Sequence, residues 1–148
     1  MKSKTGFTLL ELIIVTIIIG ILAAIGGPMY FKTIERARMA EGRIMLGMIR
    51  MAQMRYYAEH ITFTNNIKEL DIDTVNGKFF DLVLMVSANG LRPGDGLGCG
   101  GYVGEVRRND VQNPYGSNYR LRVLPNGDVC HEAGNWPNAL GDLLPVCV

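Results

Sequence analysis

The residue that most needs a chemical reason is Glu11. It lies in the run FTLLELII, four residues after Phe7, and no further charge is met until Lys32. A carboxylate carried into lipid on its own helix costs on the order of 3 kcal/mol even on the gentlest scale. An acid at this point therefore implies a cation brought to it. Cys99, Cys130 and Cys147 form a second group. They contain no CxxC, and His131 stands without a second nearby histidine, so no zinc template fits. Cys130 and His131 are adjacent, and on a strand they point to opposite faces, which argues against a nucleophilic pair. A third candidate, DIDTVNG from Asp71 to Gly77, begins like a calcium loop. It fails on spacing: Asp71 and Asp73 fit, but Val75 occupies the fifth position, Gly77 comes one residue late, and no glutamate closes the loop. There is no P-loop, GxSxG or HExxH, and the histidines are His60 and His131 alone. The expectation is a non-enzymatic protein without metal or cofactor.

The elements that position Glu11 come next. At 148 residues there is room for one domain and an anchor. Met1–Gly6 (MKSKTG) is short and basic, and Leu12 to Phe31 carries no charge. As a helix that uncharged run spans about 30 Å, the thickness of a bilayer's hydrocarbon core. A buried core helix is the bland alternative, and a globular chain of this size rarely hides so long an uncharged stretch. A permanent signal anchor and a secretory signal peptide also account for it; Ala24-Ile25-Gly26 offers a small-x-small cleavage pattern, with Pro28 close behind. Both prefer no acid at Glu11.

Lys4-Thr5-Gly6-Phe7-Thr8-Leu9-Leu10-Glu11 resembles the processing signature of type IV prepilins and type II secretion pseudopilins. The likeness continues through GILAAI (Gly20 to Ile25), Pro28 and Tyr30, and so covers residues 4–31. It implies that a prepilin peptidase cuts between Gly6 and Phe7 and methylates the new terminal amine of Phe7. It also implies that Glu11 pairs with that amine on a neighbouring subunit. The implied function is a structural subunit of a type IV pilus-like filament, with other pilin or pseudopilin subunits and an inner-membrane assembly platform as partners. A type II secretion pseudopilin is the alternative, and a signal-anchored domain that never polymerises is a weaker one. The implied place is the bacterial inner membrane, single-pass with the head outside the cytoplasm, and later the filament. Pro28 has no N–H, so the carbonyl of Ala24 loses its helical partner, and Gly26 and Gly27 weaken the same turn. Gly20, Gly26, Gly27 and Pro28 read equally well as small-residue helix packing or as a kink able to unwind in a filament; the resemblance favours the kink.

Beyond the anchor the pattern stays helical to about Glu59. Met45, Met48, Ile49, Ala52 and Tyr56 recur at spacings of three and four and predict a buried stripe, with the methionines between residues 39 and 54 packing against a sheet. Arg36, Arg38, Arg43, Arg50 and Arg55 predict a solvated or subunit-facing surface. The net charge of +1 and the lack of interleaved aromatics argue against nucleic acid as a partner. Lys2 and Lys4 face five basic residues from Lys32 to Arg50, a count that by itself would keep the head inside; the leader signature and the cysteines outweigh it. A loop with a helical turn near Ile67 to Leu70 follows, then strands over Phe79 to Ala88, Tyr102 to Arg107, Tyr119 to Leu124 and Val129 to Glu132. Pro125-Asn126-Gly127-Asp128 is the hairpin signal. The fold expected is α+β: a long N-terminal helix packed on a small antiparallel sheet. Its divisions are a leader (1–6), a membrane and assembly helix (7–31), an amphipathic continuation (32–59) and a head (60–148). Cysteine arithmetic leaves one disulfide and one thiol. The resemblance favours Cys130–Cys147, a staple of the C-terminal loop worth about 3 kcal/mol, with Cys99–Cys130 as the alternative.

Overall fold

The structure, a computed structural model, describes residues 6–73, 77–83, 86, 91–96, 101–109, 113, 115 and 118–147. One helix, α1 (Leu9–His60), is followed by a short 3-10 turn at Ile67–Glu69 and by strands β1 (Phe80–Val83), β2 (Gly104–Arg108), β3 (Arg120–Val123) and β4 (Val129–His131). A second 3-10 turn lies at Asn138–Leu140. The chain divides into two compact units, one ending at Glu35 and one spanning Arg36–Val148.

In the second unit the four strands form one antiparallel meander in the order β1-β2-β3-β4. Phe80, Val106, Leu121 and Val123 are buried with Met39, Met45, Leu46 and Ile49 of α1, so the helix supplies one wall of the core and the sheet the other. The fold is the expected α+β arrangement. The buried stripe is shifted from the expected one. Met45, Ile49 and Ala52 are buried, but Leu46 and Met39 join them, whereas Met48 faces outward and Tyr56 is half-buried. The reason lies in the helix itself: between residues 39 and 54 apolar side chains occupy both faces, and spacing alone does not say which face meets a sheet. Met48 and Met51 are correspondingly not packing material for this core.

Close approach of helix and sheet depends on Gly104. A Cβ built there would lie 2.6 Å from Ile49 Cγ2 and 3.2 Å from Val123 Cγ1. Gly104→Val is therefore expected to destabilise the head by about 1–3 kcal/mol through overpacking, measured by chemical unfolding of the detergent-solubilised chain; unchanged stability would show that the helix does not lie so close. The helix ends where Ile61 turns to φ 57°. Gln53, fully buried, then fastens the outgoing chain: its amide donates to Thr64 O at 2.6 Å and accepts from Thr64 N–H at 3.1 Å.

The β3–β4 hairpin has the expected turn. Gly127 takes φ +104°, Asn126 Oδ1 accepts from Asp128 N–H at 2.9 Å, and Arg50 of α1 donates to Pro125 O at 2.9 Å. Expected strand ends differ. The first strand is described from Phe80 to Val83; of its expected continuation, residues 84, 85, 87 and 88 lie outside the described residues, as do Lys4 and Thr5 of the leader, residues 74–76 of DIDTVNG, and Cys99. The C-terminal segment adds a short parallel ribbon to β4: His131 pairs with Val146, His131 N–H donates to Pro145 O and Cys147 N–H donates to His131 O, both at 2.9 Å. Cys130 and Cys147, with Cα atoms 5.1 Å apart, are joined in a disulfide across this ribbon, the pairing that the resemblance favours. His131, turned away from the disulfide, stacks on Trp136 at 4.2 Å.

Two charged features were not foreseen. Arg108, fully buried, gives its guanidinium to Phe79 O (3.0 Å) and Asn109 O (2.9 Å). On the other face of the sheet, Glu105 is buried between Arg122 (2.7 Å) and Arg120 (3.3 Å), and both arginines reach Glu132, at 2.7 and 3.6 Å. This closed ring of two acids and two bases is neutral, which is what permits a buried carboxylate on a sheet. Arg122 also lies over the Tyr102 ring at 4.3 Å. Burial, and Glu105 beside it, push the Tyr102 hydroxyl above the ordinary phenol range.

Candidate assembly site

Gly6, Phe7 and Thr8 precede the helix, which begins at Leu9. The Gly6–Phe7 bond thus lies in non-helical chain, and Phe7 is exposed. That is the geometry a peptidase needs, since a bond inside a helix has first to be unwound. A Cβ added at Gly6 would meet nothing within 4 Å, so packing within the chain does not require glycine there.

Glu11 sits in the first turn of α1. Its carboxylate accepts from Thr8 N–H at 3.1 Å and from Thr8 Oγ1 at 3.0 Å, while Thr8 Oγ1 accepts from Glu11 N–H at 3.2 Å. This is a reciprocal capping box, Thr at the N-cap and Glu three residues on, and it satisfies two of the donors that every helix start leaves unpaired. The sequence signal for it is the Thr-x-x-Glu spacing of Thr8-Leu9-Leu10-Glu11. Among the described residues no lysine, arginine or histidine lies within ion-pair distance of Glu11. The cap fixes where the carboxylate points without neutralising it.

From Leu12 to Phe31 every large apolar side chain is exposed, between 46% for Ile13 and 69% for Met29. This segment has the composition and length to cross a membrane. Within it Thr16 Oγ1 donates to Ile13 O, and just beyond it Thr33 Oγ1 donates to Met29 O, both at 2.9 Å. The helix is continuous through Gly20, Gly26, Gly27 and Pro28, and a Cβ at any of the three glycines would meet nothing within 4 Å. No group of three His, Cys, Asp or Glu side chains suited to a metal occurs among the described residues.

Residues 1–27 match the prokaryotic N-terminal methylation motif. The chain is 39% identical over 88 residues to the fimbrial protein EcpC of Eikenella corrodens, covering 59% of this chain and 58% of that protein. It is 38% identical over 65 residues to the type IV major pilin protein PilA of Myxococcus xanthus, covering 44% and 30% respectively. It is 32% identical over 104 residues to a fimbrial protein of Moraxella nonliquefaciens, covering 69% and 66%. In each case the matched stretch spans less than two thirds of the relative's length. The relatives agree with one another and with the motif at the start of the chain, and on that agreement the chain is a type IV pilin-like prepilin, a membrane-anchored precursor.

Proposed function

We propose that the chain, once cut between Gly6 and Phe7 by a prepilin peptidase and methylated on Phe7, is a structural subunit of a type IV pilus-like filament. The observation that carries this reading is the state of Glu11: an acid aimed by its cap, at the head of an uncharged helical segment whose large apolar side chains are exposed, with no described cation beside it. Cleavage before Phe7 creates an ammonium at the end of the same helix. Each subunit then has an anion and a cation four residues apart, and a staggered second copy brings its amine to this Glu11. The pair adds little net stability, because two charges must be desolvated. It fixes register, since a mis-staggered subunit leaves both charges unpaired among apolar helices.

The glycines that meet nothing in the isolated chain support a role outside it. In this reading Gly6 serves the peptidase, and Gly20, Gly26, Gly27 and Pro28 let the helix kink or partly unwind among its neighbours. The membrane-held precursor, head outside the cytoplasm, is drawn into the filament by an inner-membrane assembly platform. The Cys130–Cys147 disulfide supports an oxidising compartment for the head. The disulfide and the likeness to fimbrial proteins and type IV major pilins favour a pilus over a secretion pseudopilus.

The test is the mature N-terminus. Protein recovered from membranes and from sheared filaments is expected to begin at Phe7, one methyl group heavier than unmodified chain, by N-terminal sequencing and intact mass. A chain beginning at Met1 would leave a plain anchor, and one beginning at Gly27 an ordinary secreted protein.

A further inference from the structure

We propose that Met45, Met48 and Met51 of α1 form a site for a soft monovalent metal ion, Cu(I) or Ag(I), held through thioether sulfur. The inference goes beyond the filament reading and does not depend on it. The run MLGMIRMAQM places methionine at 45, 48, 51 and 54, every third residue. On a helix a step of three turns each side chain back by about 60° and advances it by roughly 4.5 Å, so Met48 neighbours both Met45 and Met51. The structure has a cavity of about 330 Å³ at this place, and Met45, Met48 and Met51 line it together with Arg55, Asp71 and Asp73. Met54, half-buried, does not line it.

Packing within the head accounts for only one of the three thioethers. Met45 is 6% exposed and serves the core, whereas Met48 and Met51 are 48% and 60% exposed, where an apolar side chain gains little from burial. The sulfur of Met45 faces the chain across the cavity, 3.1 Å from where a Cβ on Gly77 would stand. Donor chemistry then selects the occupant. A thioether is neutral, soft and polarizable, and suits Cu(I) rather than a hard cation. Two carboxylates fall short of the six to eight oxygens that calcium takes. Zinc prefers cysteine and histidine, and neither lines the cavity among the described residues. Arg55 is drawn to Asp71, 3.8 Å from its carboxylate and 3.0 Å from its carbonyl oxygen. With Asp73 the wall carries one negative charge in excess, which suits an ion of one positive charge.

Methionine is unbranched and flexible, so sulfurs on successive turns can close on one ion without moving the helix. A thioether carries no proton, and unlike a thiol or an imidazolium it releases none when a metal binds. It also cannot be drawn into a disulfide, the fate of Cys130 and Cys147 in the same head. Binding is therefore expected to be as tight at about pH 5 as at neutral pH, since the aspartates stay ionised there.

The test uses the full, detergent-solubilised chain, with Cys99→Ser in every arm to remove the remaining cysteine as a competing ligand. Anaerobic titration with Cu(I) against a chromogenic chelator gives the affinity, and NMR of isotope-labelled methionine methyl groups shows which sulfurs respond. One ion per chain is expected, with the methyl signals of Met45, Met48 and Met51 shifted and that of Met29 unmoved. Losing even a group that only orients a metal ligand costs about 10–100-fold in affinity, so Met48→Leu, which removes the middle sulfur, should weaken binding by about a hundredfold. Leucine conserves volume and Met48 is exposed, so the melting temperature should not change. Met29→Leu, in the apolar segment, should bind as the parent does. No binding by the parent chain, equal binding by Met48→Leu, or affinity lost at about pH 5, the mark of histidine ligands, would overturn the inference. None of these results bears on the mature N-terminus, so this site and the filament reading stand or fall separately.

Discussion

Glu11→Gln is expected to give a chain that is cut and methylated at Phe7, stays in the membrane, and enters filaments poorly. The capping box makes this substitution informative. Glutamine serves at the third helical position as glutamate does, so Thr8 keeps a partner and the start of α1 is preserved. The charge alone is removed. In an assembled filament the Phe7 ammonium of the neighbour would then be buried without an anion. Removing one member of a buried ion pair costs about 3 kcal/mol or more, which is roughly a hundredfold in an association constant. The measurement compares sheared-filament and membrane fractions by immunoblot, with the N-terminus sequenced in each. Wild-type filament yield from Glu11→Gln would show that the acid is a helix cap and nothing else. Thr8→Val is the matching control: it removes the cap and keeps the charge, and should affect helix order more than filament yield.

The second large effect is expected at the other end of the chain. Replacing Cys130 and Cys147 together by serine opens a loop of 17 residues, and in the chain-entropy account that loses about 3 kcal/mol. The bond does more than shorten a loop. It holds the ribbon of Pro145 to Cys147 against β4, where His131 exchanges two backbone hydrogen bonds at 2.9 Å. Without it the open edge of β4 is exposed, and an unpaired strand edge invites pairing with another chain. The doubly substituted, detergent-solubilised protein is expected to melt on the order of 10 °C lower and to be clipped by protease near its C-terminus. An unchanged melting temperature would mean that the ribbon stays in place by its hydrogen bonds and by the packing of Leu140 and Leu144, both buried. Substituting both cysteines leaves no thiol at either position to exchange with Cys99.

What could be read without coordinates was whatever the chain encodes over short distances. The anchor is a matter of composition over 20 consecutive positions, and any such run forms a helix in lipid because every backbone group must be satisfied internally. The turn at Pro125 to Asp128 follows from residue types that tolerate its backbone angles, and Gly127 takes the positive φ there. The cap at Thr8 and Glu11 is equally local, a three-residue spacing in which one acid both caps the helix and carries the charge.

The tertiary structure decided everything that depends on which distant segments meet. Leu46 rather than Met48 faces the core because the sheet lies on that side, and α1 carries apolar residues on both. Arg108 is buried because carbonyls of Phe79 and Asn109 come to it, and Glu105 because strand register sets it opposite Arg122. Three cysteines permitted more than one pairing until β4 and the C-terminal ribbon were brought side by side. Local conformation costs are summed along the chain and show in the sequence, whereas burial is a property of the surface that arrives from elsewhere.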